Sequence, residues 1–277
     1  MKSTENQKLD QYTTIRIGGI AKRLLTPESV EELSSLIKAE KPVYFIGGGS
    51  NLLIAEHEFD LVVDLRGFNT EIAFDGDGVF RVGASVRLQQ LINHINEKGF
   101  GGIEYLYSVP GLVGGAVAMN AGRGRKYNQT ISDYIVSVDI LRDGFPMTLK
   151  KDECGFSHRD SIFKHSKDIV IGCTFKFPEM SREDTSKRKK ERIEHCQRVQ
   201  DASKPNFGSV FRESNPRIMN YAQRRKIGGK VHFSGKTANW ILNEGGSFEE
   251  AMSAIRRVER LHKLFFQKCS REVIVWD

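Results

Sequence analysis

Residues 43–53 read VYFIGGGSNLL, a β-branched and aromatic run that stops at three glycines, a serine and an asparagine. Those types at that spacing suit anion binding. Without Cβ atoms, Gly47, Gly48 and Gly49 let the main chain turn tightly and aim several N–H groups into one concavity, where Ser50 and Asn51 add side-chain donors. A phosphate fits such a cradle, although a plain tight strand connection uses the same glycines. A second bare stretch, SVPGLVGGAVAMNAGRGRKY (108–127), places glycine at 111, 114, 115, 122 and 124 within an otherwise apolar segment. Neither stretch matches the dinucleotide pattern GxGxxG or the phosphate-loop pattern GxxxxGK[ST], so those two nucleotide folds have no support. Cys154, Cys173, Cys196 and Cys269 form no CxxC pair and the seven histidines no HxH or HxxxH pair, so no metal is expected.

Such loops need strands and helices to hold them. TPESVEELSSLIKAEK (26–41) reads as an amphipathic helix opened by Thr26 and Pro27, with Val30, Leu33, Leu36 and Ile37 at helical spacing. Strands are expected at 43–46, 61–67 and 78–85, then a helix carrying Leu88, Leu91, Ile92 and Ile95 and ending at Gly99. YIVSVDILRDGFPMTLK reads as a hairpin turning at Asp143–Gly144, followed by a loop (154–163) and a strand (168–177). Pro178 and the polar residues after it mark a composition shift and a domain boundary. SFEEAMSAIRRVERLHKLFF (247–266) reads as a helix with Ser247 and Glu249 at its start, and the chain closes on a strand, REVIVWD.

Composition bounds the class. Hydrophobic residues at 39% and charged residues at 28% are those of a globular chain, and no apolar run approaches the roughly 18–20 residues that span a bilayer. The polar start, MKSTENQKLDQY, lacks the apolar stretch of a signal peptide, so a cytoplasmic location is expected. A net charge of +7 suits a polyanionic ligand such as a nucleotide. Much of it lies in SKRKKERIEHCQR (186–198), which reads as a solvated helix rather than a nucleic-acid footprint, because no aromatic residues interleave. Neither a nucleic-acid nor a membrane partner is expected.

Five segments in order, YTTIRIGG (12–19), GGGSNLL (47–53), SVPGLVGGAVAMNAG (108–122), GFSHRDSIF (155–163) and GSVFR (208–212), resemble the UDP-N-acetylenolpyruvoylglucosamine reductases, also called UDP-N-acetylmuramate dehydrogenases. The resemblance extends from about residue 12 to the C-terminal strand. It implies an α+β flavoprotein of the vanillyl-alcohol-oxidase type: FAD-binding subdomains at 1–67 and 68–178 and a smaller α+β substrate domain at 179–277. It also implies FAD and NADPH as cofactors and a UDP-sugar enolpyruvyl substrate; the sequence is silent on oligomeric state, and a monomer is expected. Gly47, Gly48, Gly49, Ser50 and Asn51 match the family's loop on the FAD pyrophosphate. Ser108, Pro110, Gly111, Gly114, Gly115, Asn120, Ala121 and Gly122 match its second FAD-contacting stretch.

By the same resemblance, Arg159 stabilises negative charge on the substrate, Ser209 donates a proton, and Glu272 polarises the intermediate with the arginine. Lys236, Asn239 and Arg212 match substrate-side positions, and Lys230 and Arg224 are further diphosphate candidates. Two departures stand out. His158 occupies the place of a tyrosine, and NPRIMNYAQRRKIGGK (215–230) replaces a small-residue segment of the type AGxLIExAG. The substrate domain resembles the family's short form, without a tyrosine-bearing insertion. The rewritten segment keeps a second reading open: a paralogous FAD-dependent oxidoreductase acting on another anionic substrate.

Overall fold

Alternating apolar residues carry the hairpin. Strands Ile135–Arg142 and Phe145–Lys150 pair antiparallel with Arg142 opposite Phe145, leaving Asp143 (φ 52°) and Gly144 (φ 79°) as a two-residue turn. Positive φ at both positions matches the right-handed twist of the strands it joins. The hairpin edges a five-stranded antiparallel sheet that continues through Ile169–Lys176, Val79–Gly83 and Ile72–Gly76. The computed structural model describes residues 1–40, 44–123 and 129–277. These form two units by contact, the first made of residues 1–3, 25–48 and 61–196 and the second of residues 4–24, 49–60 and 197–277.

In the first unit, α1 (Val30–Glu40) buries Leu33 and Leu36, and α2 (Leu88–Glu97) buries Leu88, Leu91, Ile92 and Ile95. Both add to one core with Phe80, Val82, Ile140 and Phe175 of the sheet. A short helix, α3 (Val113–Ala118), lies in the second glycine-rich stretch, and Tyr44–Ile46 pairs parallel with residues 62–64. The basic segment forms α4 (Arg182–Val199).

The second unit has its own core, which includes Phe207, Phe211, Phe233, Ile241, Ile255 and Val258. A three-stranded sheet runs in the order Asn206–Ser209, Trp240–Asn243, Val231–Phe233. The strand Phe211–Glu213 pairs with Ser270–Arg271, and the C-terminal strand Ile274–Trp276 pairs parallel with Leu52–Ile54. Helices α5 (Pro216–Arg225) and α6 (Phe248–Leu264) complete it.

Several local expectations shift. The first helix starts after Ser29, whose hydroxyl accepts from Glu32 N–H at 3.2 Å, rather than at Thr26–Pro27. Ser247 caps α6 reciprocally with Glu250, not Glu249, because the motif needs a spacing of three. The segment 215–230 contains a helix capped by Asn215, whose side chain accepts from Arg217 N–H at 2.9 Å. The contact units also cut the chain differently from boundaries at 67 and 178, since residues 4–24 and 49–60 cluster with the last third. Val43 and Gly124 lie outside the described residues. Among the described residues no helix is long and apolar enough to cross a membrane.

Candidate cofactor and substrate site

The glycines of the first loop divide by what surrounds them. Gly49 has φ +60°, and a Cβ there would lie 1.9 Å from the Tyr12 carbonyl oxygen, so this glycine is demanded by the fold. Gly47 differs. A Cβ on it would meet only Leu112 Cδ1, at 3.8 Å, and one on Gly115 would meet nothing within 4 Å. Gly115 sits inside α3, where glycine costs about 0.5–1 kcal/mol relative to alanine, so packing gives no reason for it. Both line an open pocket of about 180 Å³ in the first unit, together with Phe45, Leu112, Gly114 and Asp168. Bare backbone and apolar walls fit a flat, diphosphate-bearing cofactor such as FAD, which must approach the main chain closely. Gly48 faces Pro110 and Gly111 within the same unit, its Cβ position 3.4 Å from the Pro110 oxygen.

The second stretch braces Arg159. Asn120, 3% exposed and at φ 40°, donates from Nδ2 to Ser157 O (2.8 Å) and accepts from Ser132 N–H (3.3 Å). Ser161 Oγ donates to Ala118 O at 2.6 Å. Between these anchors the chain folds into a tight turn in which Ser157 and Asp160 exchange backbone hydrogen bonds. Arg159 takes φ 57° there, a left-handed conformation that costs a non-glycine residue on the order of 1–2 kcal/mol, and Lys164 Nζ donates to its carbonyl at 3.0 Å. Strain held by several partners marks a residue whose aim matters. Ala121 O accepts from Ile131 N–H, and Gly122 pairs with Thr130.

Sequence reading passes over two neighbours. Asp168, 8% exposed, lines the pocket and takes a two-pronged ion pair from Arg142 (2.9 and 2.8 Å), which holds its carboxyl below the usual range. Tyr105, also 8% exposed, has a hydroxyl with no hydrogen-bond partner among the described residues. Burial raises its pKa, the charges of Tyr134, Asp133 and Glu104 add to that rise, and the Arg159 charge opposes it. Neither has a spacing signal that would mark it.

Ser209 and Glu272 belong to the second unit, where backbone hydrogen bonds bring their neighbourhoods together. Val210 N–H donates to Asn239 O (2.9 Å), and Val210 O accepts from Glu272 N–H (2.8 Å). Asn239, at φ 75°, uses its whole amide on Phe211, accepting from the N–H at 2.9 Å and donating to the C=O at 2.8 Å. It therefore acts as a brace for the strand beside Ser209. Asn51 joins the same cluster by donating from Nδ2 to Glu272 O at 3.0 Å, so this amide holds the C-terminal strand. The Ser209 hydroxyl makes no hydrogen bond to its own backbone among the described residues.

The basic side chains divide similarly. Lys236 Nζ donates to Gln197 O at 2.9 Å, at the carbonyl end of α4, a placement favoured by the helix dipole. Arg212 Nε donates to Ser270 Oγ at 3.2 Å. Arg224 and Lys230 are exposed. On α4, Arg192 Nε donates to Ser108 Oγ at 2.8 Å, and Ser108 also meets Cys196 Sγ at 3.0 Å, while Lys189 reaches Asn93 and the Tyr107 ring. Part of that basic face thus supports the SVPG segment.

A family model described as an FAD binding domain matches residues 21–144. A UDP-N-acetylenolpyruvoylglucosamine reductase from Thermotoga petrophila is 31% identical over 283 aligned positions, covering 98% of this chain and 97% of its own. Among solved structures, UDP-N-acetylenolpyruvylglucosamine reductase from Thermus caldophilus superposes with a TM-score of 0.81 at 28% identity, covering 100% and 98% of the two chains. The 6-hydroxy-D-nicotine oxidase of Arthrobacter nicotinovorans shares the fold alone, with a TM-score of 0.51 at 15% identity over 64% of this chain and 42% of its own.

Proposed function

The chain belongs to the UDP-N-acetylenolpyruvoylglucosamine reductase family, and on that premise we propose that it is an FAD-containing, NADPH-dependent oxidoreductase that reduces UDP-N-acetylglucosamine enolpyruvate to UDP-N-acetylmuramate for peptidoglycan synthesis. One observation carries the reading: the end-to-end match to a reductase of that name in a chain whose Gly47 and Gly115 keep a pocket open without a packing reason.

FAD, when held by these residues, would supply hydride chemistry between NADPH and the enolpyruvyl double bond. Hydride on the outer alkene carbon leaves an electron pair on the inner carbon, delocalised into the adjacent carboxylate. Arg159, aimed by its braced turn, stabilises that charge where it develops. The Ser209 hydroxyl gives its proton to the inner carbon and completes the reduction. Glu272, joined to the Ser209 strand through Val210, polarises the same intermediate. Lys236, Asn239 and Arg212 belong to the substrate side, with Asn239 acting by bracing the strand. In this assignment residues 1–67 and 68–178 hold FAD and 179–277 hold substrate, in a cytoplasmic monomer.

An anaerobic two-step experiment tests it. The FAD-loaded protein is reduced with NADPH, UDP-N-acetylglucosamine enolpyruvate is added, and flavin absorbance is followed. Rapid reoxidation with formation of UDP-N-acetylmuramate is expected. Ser209→Ala should reduce normally with NADPH yet form product about 10²–10⁴-fold more slowly. Reduced flavin that ignores the precursor would instead favour a paralogue using another anionic substrate, a reading supported by the exposed Arg224 and Arg225 on α5.

A further inference from the structure

Helix α6 ends in a conformation that glycine favours, yet carries phenylalanine there. Phe266 N–H donates to Lys263 O (3.1 Å) and Gln267 N–H to His262 O (2.8 Å), the paired bonds of a Schellman stop. That motif sets Phe266 at φ 53°, an outlying conformation for a bulky side chain. Side-chain burial among the described residues does not repay it, because Phe266 is 96% exposed, and Leu264 and Phe265 beside it are 68% and 59% exposed.

The end of the helix is held firmly. His262 is fully buried, its Nδ1 meets Val258 O at 2.9 Å, and its Nε2 accepts from Asn215 N–H at 2.9 Å. Asn215 Nδ2 then donates to Gln267 Oε1 at 2.7 Å. Exposed Arg260, Lys263 and Lys268 flank the apolar residues, and exposed Arg217 follows Asn215. The nearby Glu259 carboxylate is occupied by Arg271.

We propose that residues 264–266 form a docking tip for an anionic lipid surface, with Leu264, Phe265 and Phe266 entering the headgroup boundary and the basic side chains meeting lipid phosphates. Exposed apolar residues at a helix-ending turn, with exposed Arg260, Lys263 and Lys268 close by in the chain, match the chemistry of peripheral membrane binding. A second copy of the chain is a poorer occupant, because a self-complementary contact would bring these basic side chains against their like. The inference adds a membrane contact to a chain whose sequence suggests none.

Co-sedimentation of the full FAD-loaded chain with vesicles tests the tip. Pelleting with phosphatidylglycerol–phosphatidylethanolamine vesicles is expected, weakening as salt is added, with little on phosphatidylcholine alone. Phe266→Gly should bind about tenfold more weakly while melting no lower than wild type, since glycine suits the stop; retained flavin content would verify the fold. Lys263→Glu with Lys268→Glu should weaken binding further. No pelleting at low salt, equal binding by Phe266→Gly, or a dimer that dissociates in Phe266→Gly would each overturn the proposal.

Discussion

At the scale of single residues, identical glycines serve unlike purposes. Gly49→Ala must move a Cβ away from a carbonyl 1.9 Å distant and hold a left-handed backbone, so a loss of about 3 kcal/mol is expected in chemical denaturation. Gly115→Ala should do the reverse, raising stability by about 0.5–1 kcal/mol while weakening FAD in a flavin titration, because the added methyl meets no protein atom. A result in which Gly115→Ala kept full FAD affinity would remove the cradle argument. A glycine triplet is visible in the sequence, but which of its members serves the fold depends on Tyr12, far along the chain from it in contact terms. Arg159 is similar. Its motif is legible, whereas its positive φ and its brace by Asn120 arise only when residues 120 and 157 meet.

Elements set by local chemistry were the most readable. Asp143–Gly144 supplies both positive φ angles of its turn, so the hairpin follows from neighbouring residues alone. Helix caps were less readable, since Thr26–Pro27 and Ser29 are all acceptable openings, and the choice falls to the residue whose hydroxyl reaches Glu32. The strand beside Ser209 shows a further limit: its edge is paired in part by the side chain of Asn239, a pattern no periodicity announces. Asn239→Ala should therefore leave the Phe211 N–H and C=O without this partner and cost about 2–4 kcal/mol, read by urea unfolding. Asn239→Asp keeps one acceptor and should recover part of that loss.

Across the whole molecule, ionisation limits stability at both pH extremes. The Arg142 ion pair lowers the Asp168 pKa in the folded state, so its contribution is present above the unfolded carboxylate's range and is lost as pH falls through the folded value. Burial lifts the Cys154 and Cys269 thiols from about 9 to about 11 and raises the Cys173 thiol well above its ordinary value. The unfolded chain then releases protons first, and stability declines as pH rises from about 9 towards 11. Thermal melts across pH should show both flanks, and Arg142→Met should move the acid flank to higher pH. Thiol alkylation near neutral pH should be slow until denaturant is added.

The second unit joins Asn51 to Glu272 across 221 residues. During synthesis at roughly 5–20 residues per second, the segment that carries Gly49 to Asn51 must wait some ten to forty-five seconds for its partner strand to leave the ribosome. Through that interval Leu52, Leu53 and Ile54, all buried in the finished protein, remain open to solvent. A chain stopped before Ile274 should therefore stay protease-sensitive at residues 49–60 however long it is left to fold.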